Sequence, residues 1–119
     1  MPKYLFILIL LLPMNAQAAD EWTKKDSVIQ GTYYIFHFID WRQTRYITKN
    51  SQWYEMNPIL GKYPSTNTVD GYFLITTILH TAVAYYLPQP YRGWWQGVWI
   101  FGSATCVFHN FSVGIKMDL

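Results

Sequence analysis

The chain has 119 residues, enough for one domain. Hydrophobic residues make up 51% and aromatics 19%, while charged residues are 13% where soluble domains carry about 25%, so an ordinary water-facing surface is hard to build from this composition. A net charge of +2 with no basic cluster argues against nucleic acid as a partner.

The N-terminus, "MPKYLFILILLLPMNAQAAD", sets a basic Lys3 before an apolar run from Tyr4 to Leu12, then Pro13 and an Ala16-Gln17-Ala18 tripeptide. That order is the pattern of a secretory signal peptide. The apolar run is too short for a span, which needs roughly 20 residues. The reading is a signal over 1–18, cleaved after Ala18, and a single domain over 19–119.

Three long segments follow. The first runs from about Lys25 to Ile47 around "VIQGTYYIFHFIDW" and is interrupted by Asp40 and Arg42. The second, Val69 to Leu87, has one charge, Asp70, near its start. The third, Trp94 to Ile115, has only His109 as a titratable group of acid–base character. The last two reach the length of a bilayer-crossing helix, and Tyr85, Tyr86, Trp94, Trp95 and Trp99 crowd their ends like an interfacial aromatic belt. Ser65, Thr66 and Asn67 offer N-caps for the second segment, with Asp70 favourable in its first turn. "LPQPY" from Leu87 to Tyr91 breaks the chain, so the second and third segments should form an antiparallel pair. The expected fold is all-α: a small transmembrane helical bundle of about three spanning helices.

Arg42, Arg45, Lys49 and Lys62 stand between the first two segments against a single acid, Glu55, whereas the Pro88 link carries only Arg92. The positive-inside tendency then places the 42–62 linker in the cytoplasm of a bacterial inner membrane and the mature N-terminus in the periplasm. Lys24 and Lys25 on the outer side run against that tendency. The competing architecture is a soluble periplasmic helical module.

Polar residues recur at helical spacing on each segment. Tyr33, His37, Asp40 and Thr44 share one face of the first. Thr77 and His80 share a face with Phe73 and Ala84 on the second, and Gln96, Ser103, Cys106 and Asn110 form a stripe on the third. In lipid such stripes turn inward, because an unpaired polar group facing acyl chains is costly. The plain reading is interhelical hydrogen bonding, worth about 0.6 to 2 kcal/mol per contact. The functional reading is a shared cavity in which His37, Asp40 and His80, with His109 as a further candidate, bind a metal, proton or small ligand or carry out a reaction. Asp40 is its sharpest candidate, because an intramembrane ionisable group is a functional candidate by default. The lone Cys106, in the apolar stretch "SATCVFHN", reads as a small buried residue.

Asp40 could pair with Arg45, His80 or a backbone donor, and Thr76 lies off the polar stripes. The return "YEMNPILGKYPS" has Asn57-Pro58 to start a turn, Gly61 to permit positive φ and Pro64 to end it. It reads as a cap over the cytoplasmic end of the bundle, which Asp40, Arg45, Glu55 and Asn57 could also make into a small polar site. With His37, Thr44, His80 and Asn110, these complete the candidate polar residues. No Ser-His-Asp set, phosphate loop or zinc signature points to an enzyme, and no cofactor is implied.

At "DWRQTR" (40–45), "YEMNPILG" (54–61) and the later "LP…R…WQ", the chain resembles an uncharacterised family of small bacterial and phage membrane proteins. These pair Asp-x-x-x-Thr near a helix end with Glu-x-Asn-Pro downstream. Asp40, Gln43, Thr44, Arg45, Glu55, Asn57, Pro58, Gly61 and His80 match, over roughly Asp26 to Gly114. The resemblance implies membrane topology and a phage or prophage origin, and brings no activity. The function expected is that of a non-enzymatic membrane protein whose partners are lipid and other membrane proteins or a second copy of itself.

Overall fold

The computed structural model of the chain describes residues 20–119; the expected signal peptide and its cleavage site lie outside the described residues. Three helices follow one another: α1, Lys24–Lys49; α2, Thr66–Tyr86; and α3, Tyr91–Ser112. They form an all-α bundle in which α1 packs against both others and α2 and α3 against each other.

Local chemistry accounts for the boundaries. α1 begins in a reciprocal capping box: the Asp26 amide donates to Thr23 Oγ1 at 3.1 Å and the Thr23 amide to Asp26 Oδ2 at 3.0 Å. α2 is capped by Ser65, whose Oγ accepts from the Thr68 amide at 3.1 Å. Asp70 is therefore one turn further in than the sequence suggested, and its carboxylate goes to side chains of α1 instead of the helix end. α2 stops before Pro88, and α3 starts at Pro90 after a short link, as "LPQPY" requires. α3 closes at Gly114, whose φ of +95° suits a residue without a Cβ, and the Ile115 amide returns to the Asn110 carbonyl at 2.9 Å. The 50–65 return turns at Gly61, φ +79°, with the Leu60 and Gly61 amides on the Asn57 carbonyl.

The helices run 26, 21 and 22 residues, so each has the length of a span. No helix among the described residues is long and apolar enough to cross a membrane. The reason is composition along the axis: each carries an inward polar stripe that dilutes its apolar character.

The stripes do turn inward. Tyr33, His37 and Thr44 of α1, His80 of α2, and Gln96 and Ser103 of α3 are all buried. The apolar core is correspondingly small, a cluster of Leu60, Val69 and Phe73 with Trp41 and Tyr72 against it. Cys106 departs from expectation: it is exposed and borders a cavity between the helices. Thr76 also joins the interior network, with its hydroxyl 3.0 Å from His37 Nε2, because the third turn of α2 faces α1 there.

Candidate functional site

Two polar centres occupy opposite ends of the bundle. At the end formed by the start of α1 and the α2–α3 link, Arg92 and Asp26 are both buried and meet at 2.9 Å. Arg92 is fully committed. Its Nε donates to the Ala84 carbonyl at 2.8 Å and its Nη2 to the Tyr85 and Asp20 carbonyls at 3.0 and 2.9 Å, while Nη1 reaches the Glu21 carbonyl at 3.2 Å. Two of these acceptors are last-turn carbonyls of α2 that lack a helical partner, so the guanidinium closes that helix while it binds the first turn of α1. Asp26 Oδ1 accepts from Gln89 Nε2 at 2.9 Å, and the Trp22 ring lies 5.1 Å from the guanidinium carbon. The sequence reading missed this centre. The Thr23-x-x-Asp26 cap was a local signal for half of it; nothing local marks Arg92 as its partner.

From there a polar core runs down the bundle. Gln96 Nε2 donates to the Asp26 carbonyl and to Gln30 Oε1, and Gln30 Nε2 lies 3.0 Å from His80 Nδ1. His80 is stacked between Tyr33, centroid distance 3.6 Å, and Trp95, 5.5 Å. Further down, His37 Nε2 contacts the Phe73 carbonyl and Thr76, while Gln43 bridges α1 to α3 through the Val107 carbonyl and Asn110 Nδ2.

At the other end lies a cavity of about 740 Å³ between α1, α2, α3, the 52–60 return and the chain after α3. Six of the eight expected polar residues line it: His37, Asp40, Thr44, Glu55, Asn57 and Asn110. Arg45 and His80 do not. The return forms one wall of the cavity, and its Leu60 packs with Val69 and Phe73. His109, a further candidate of the sequence reading, also lines the cavity, as do Cys106, Trp53, Tyr72 and Trp99, which that reading did not assign to a site.

The buried Trp53 Nε1 has no hydrogen-bond partner there among the described residues, and Asp40 is sparsely partnered. Its carboxylate has one side-chain contact, Thr44 Oγ1 at 3.5 Å, and that hydroxyl is already given to the Asp40 backbone carbonyl at 2.8 Å. The expected pairing with Arg45 does not form. Five positions on, Arg45 points to a different side of α1, where it holds Asp70 at 2.6 Å and Asp118 at 3.1 Å, and Lys49 joins it on Asp118 at 2.8 Å. The pairing with His80 does not form either: His80 lies outside the cavity lining, with Nδ1 on Gln30 and its buried Nε2 without a partner among the described residues. Glu55 uses Oε1 to accept from the Met56 and Asn57 amides at 3.0 and 2.9 Å. Asn57 in turn donates to the Tyr72 hydroxyl and accepts from the Ile59 amide. The Asp-x-x-x-Thr and Glu-x-Asn segments thus converge on one cavity, with Asp40 left free.

Among the described residues no group of three or more His, Cys, Asp and Glu side chains is placed to hold a metal ion. His37 and Asp40 share the cavity, but His80, the third weak metal candidate, sits above it in the aromatic stack.

Comparison of the chain with protein-family models, with curated proteins and with solved structures finds no match in any of the three.

Proposed function

We propose that this chain is a small, non-enzymatic integral membrane protein that acts through helix–helix contacts with membrane partners. One observation carries the reading: the bundle is polar inside and apolar outside. Gln30, Gln43, Gln96, His37, His80 and Ser103 are buried, while Ile35, Leu74, Ile78, Val98, Phe101 and Phe108 are 59–75% exposed. Water selects the opposite arrangement, and a contiguous exposed apolar surface marks a membrane or protein contact. Lipid favours this one, because backbone and side-chain polar groups must then be satisfied within the protein. No single helix is apolar enough on its own; the assembled exterior supplies the apolar surface that each helix's average conceals.

The proposed orientation puts the 50–65 return in the cytoplasm and the Pro88 link in the periplasm, in a bacterial inner membrane. The motif resemblance adds a phage or prophage setting.

Alkaline carbonate extraction tests the membrane placement: the protein should stay with the membrane pellet, and release into the supernatant would overturn the proposal. In a Cys106→Ser background, Gln89→Cys should react with an impermeant thiol reagent in intact cells and Ser51→Cys should not; the reverse pattern would overturn the orientation. A photo-crosslinking residue at Ile78 or Phe101 should capture another protein or a second copy. Capture of lipid alone would remove the partner-contact role.

A further inference from the structure

The cavity at the lower end of the bundle has a chemistry of its own. Among the described residues no lysine or arginine lines it, although Arg42, Arg45, Lys49 and Lys62 belong to the same end of the molecule. Each of these bases is engaged elsewhere: Arg45 and Lys49 on Asp118, Arg42 over the Trp41 ring at 4.2 Å, and Lys62 over Tyr54 at 5.2 Å. The lining does hold two carboxylates, Asp40 and Glu55, the imidazoles of His37 and His109, and aromatic rings that include Trp53, Tyr72, Phe73 and Trp99.

We propose that this cavity binds an organic cation, an ammonium group carried on an apolar body, with Asp40 as its counter-ion and the surrounding rings as its walls. Four observations converge on that class. The volume, about 740 Å³, falls within the range of about 300–1,000 Å³ typical of small-molecule sites. Carboxylates with no lysine or arginine beside them among the described lining residues disfavour anions. The absence of a three-ligand cluster among the described residues disfavours a bare divalent metal. Aromatic faces combined with a carboxylate are the recognised means of holding an alkylated ammonium, whose charge is diffuse and whose surface is apolar. Asp40 is suited to the counter-ion role because no cationic side chain among the described residues pairs with it. Glu55 is held by two amides and defines the rim. This inference concerns the cavity alone and does not depend on membrane placement of the bundle.

The ammonium group has two possible sources, a soluble amine or a lipid headgroup such as that of phosphatidylethanolamine, and one experiment separates them. Full-length protein in an uncharged maltoside detergent is titrated calorimetrically with benzyltrimethylammonium and with neutral N,N-dimethylbenzamide. The cation should bind saturably and the neutral analogue should not. Asp40→Asn, which keeps the shape of the side chain, should weaken the cation by about tenfold or more, whereas Asp118→Asn, which removes the same charge outside the cavity, should leave it unchanged. The titration is then repeated in nanodiscs of phosphatidylethanolamine and of an uncharged galactolipid. Weaker binding in the former identifies the headgroup as the occupant, and equal binding in both identifies a soluble amine. Absence of saturable binding in detergent, equal binding of the neutral analogue, or equal weakening by Asp40→Asn and Asp118→Asn would each overturn the proposal.

Discussion

α1 carries two aspartates about four turns apart on nearly the same side of the helix, and the bundle treats them in opposite ways. Asp26 is enclosed with Arg92, Gln89 and the Thr23 amide, every charge matched. Asp40 faces a cavity with one marginal contact. The difference teaches how a small bundle with little apolar core divides its polar groups. At one end a buried ion pair ties together the start of α1, the end of α2 and the start of α3. At the other end a carboxylate is left unmatched while Arg45 and Lys49 are drawn off to Asp70 and Asp118 and Arg42 and Lys62 lie over aromatic rings.

Breaking the upper centre should have the largest effect. Arg92→Ala leaves Asp26 buried and uncompensated and frees the last carbonyls of α2, a loss of about 3–5 kcal/mol that thermal or denaturant unfolding in detergent would register. Asp40→Asn provides the contrast: its stability should stay within about 0.5 kcal/mol of the parent, since no partner is lost. A loss at Asp40 as large as that at Arg92 would show that the lower carboxylate is paired after all and would erase the distinction between the ends.

The next effect down concerns the link between the two centres. Gln43 is fully buried and joins α1 to α3 through Val107 and Asn110, so Gln43→Ala should cost about 1–3 kcal/mol in the same assay. A neutral result would mean that the interior polar contacts contribute no more than surface ones.

Arg45→Ala should be milder still, about 1 kcal/mol or less, because its partners are partly exposed and water screens them. That small loss should shrink further at high salt, and a large salt-insensitive loss would place the lower ion pairs on the same footing as the upper one.

The smallest effect is one of pH. The Lys49 ammonium first, then Arg45, hold the Asp118 carboxyl below its usual value of 3.8. A depressed carboxylate contributes stability that is present above that usual value and lost as pH falls through the lower folded-state value. The tail after α3, whose Asp118 amide bonds the Arg42 carbonyl at 2.9 Å, should therefore detach under acid. Hydrogen exchange at that amide, corrected for its intrinsic pH dependence, should lose protection below about pH 3.8 and keep it at neutral pH. Protection that persists well into the acid range would show that the tail is held by something other than these charges.

The sequence alone determined what is periodic or local. Three helices of these lengths, the Ser65 cap, the stop at Leu87-Pro88, the turn at Gly61 and the inward polar stripes all follow from 3.6-residue spacing and from the backbone preferences of glycine, proline and capping residues, which act within a few positions of the chain. The pairings were decided by the tertiary structure. Asp26 meets Arg92 across 66 residues, and Arg45 goes to Asp70 and Asp118 instead of the nearer Asp40. Thr76 enters the interior because α1 happens to lie beside it, and Cys106 opens onto a cavity that only the meeting of three helices and a loop creates. Charge partners are chosen by proximity in space and by what is left after other groups have been matched, and neither quantity is written in local spacing.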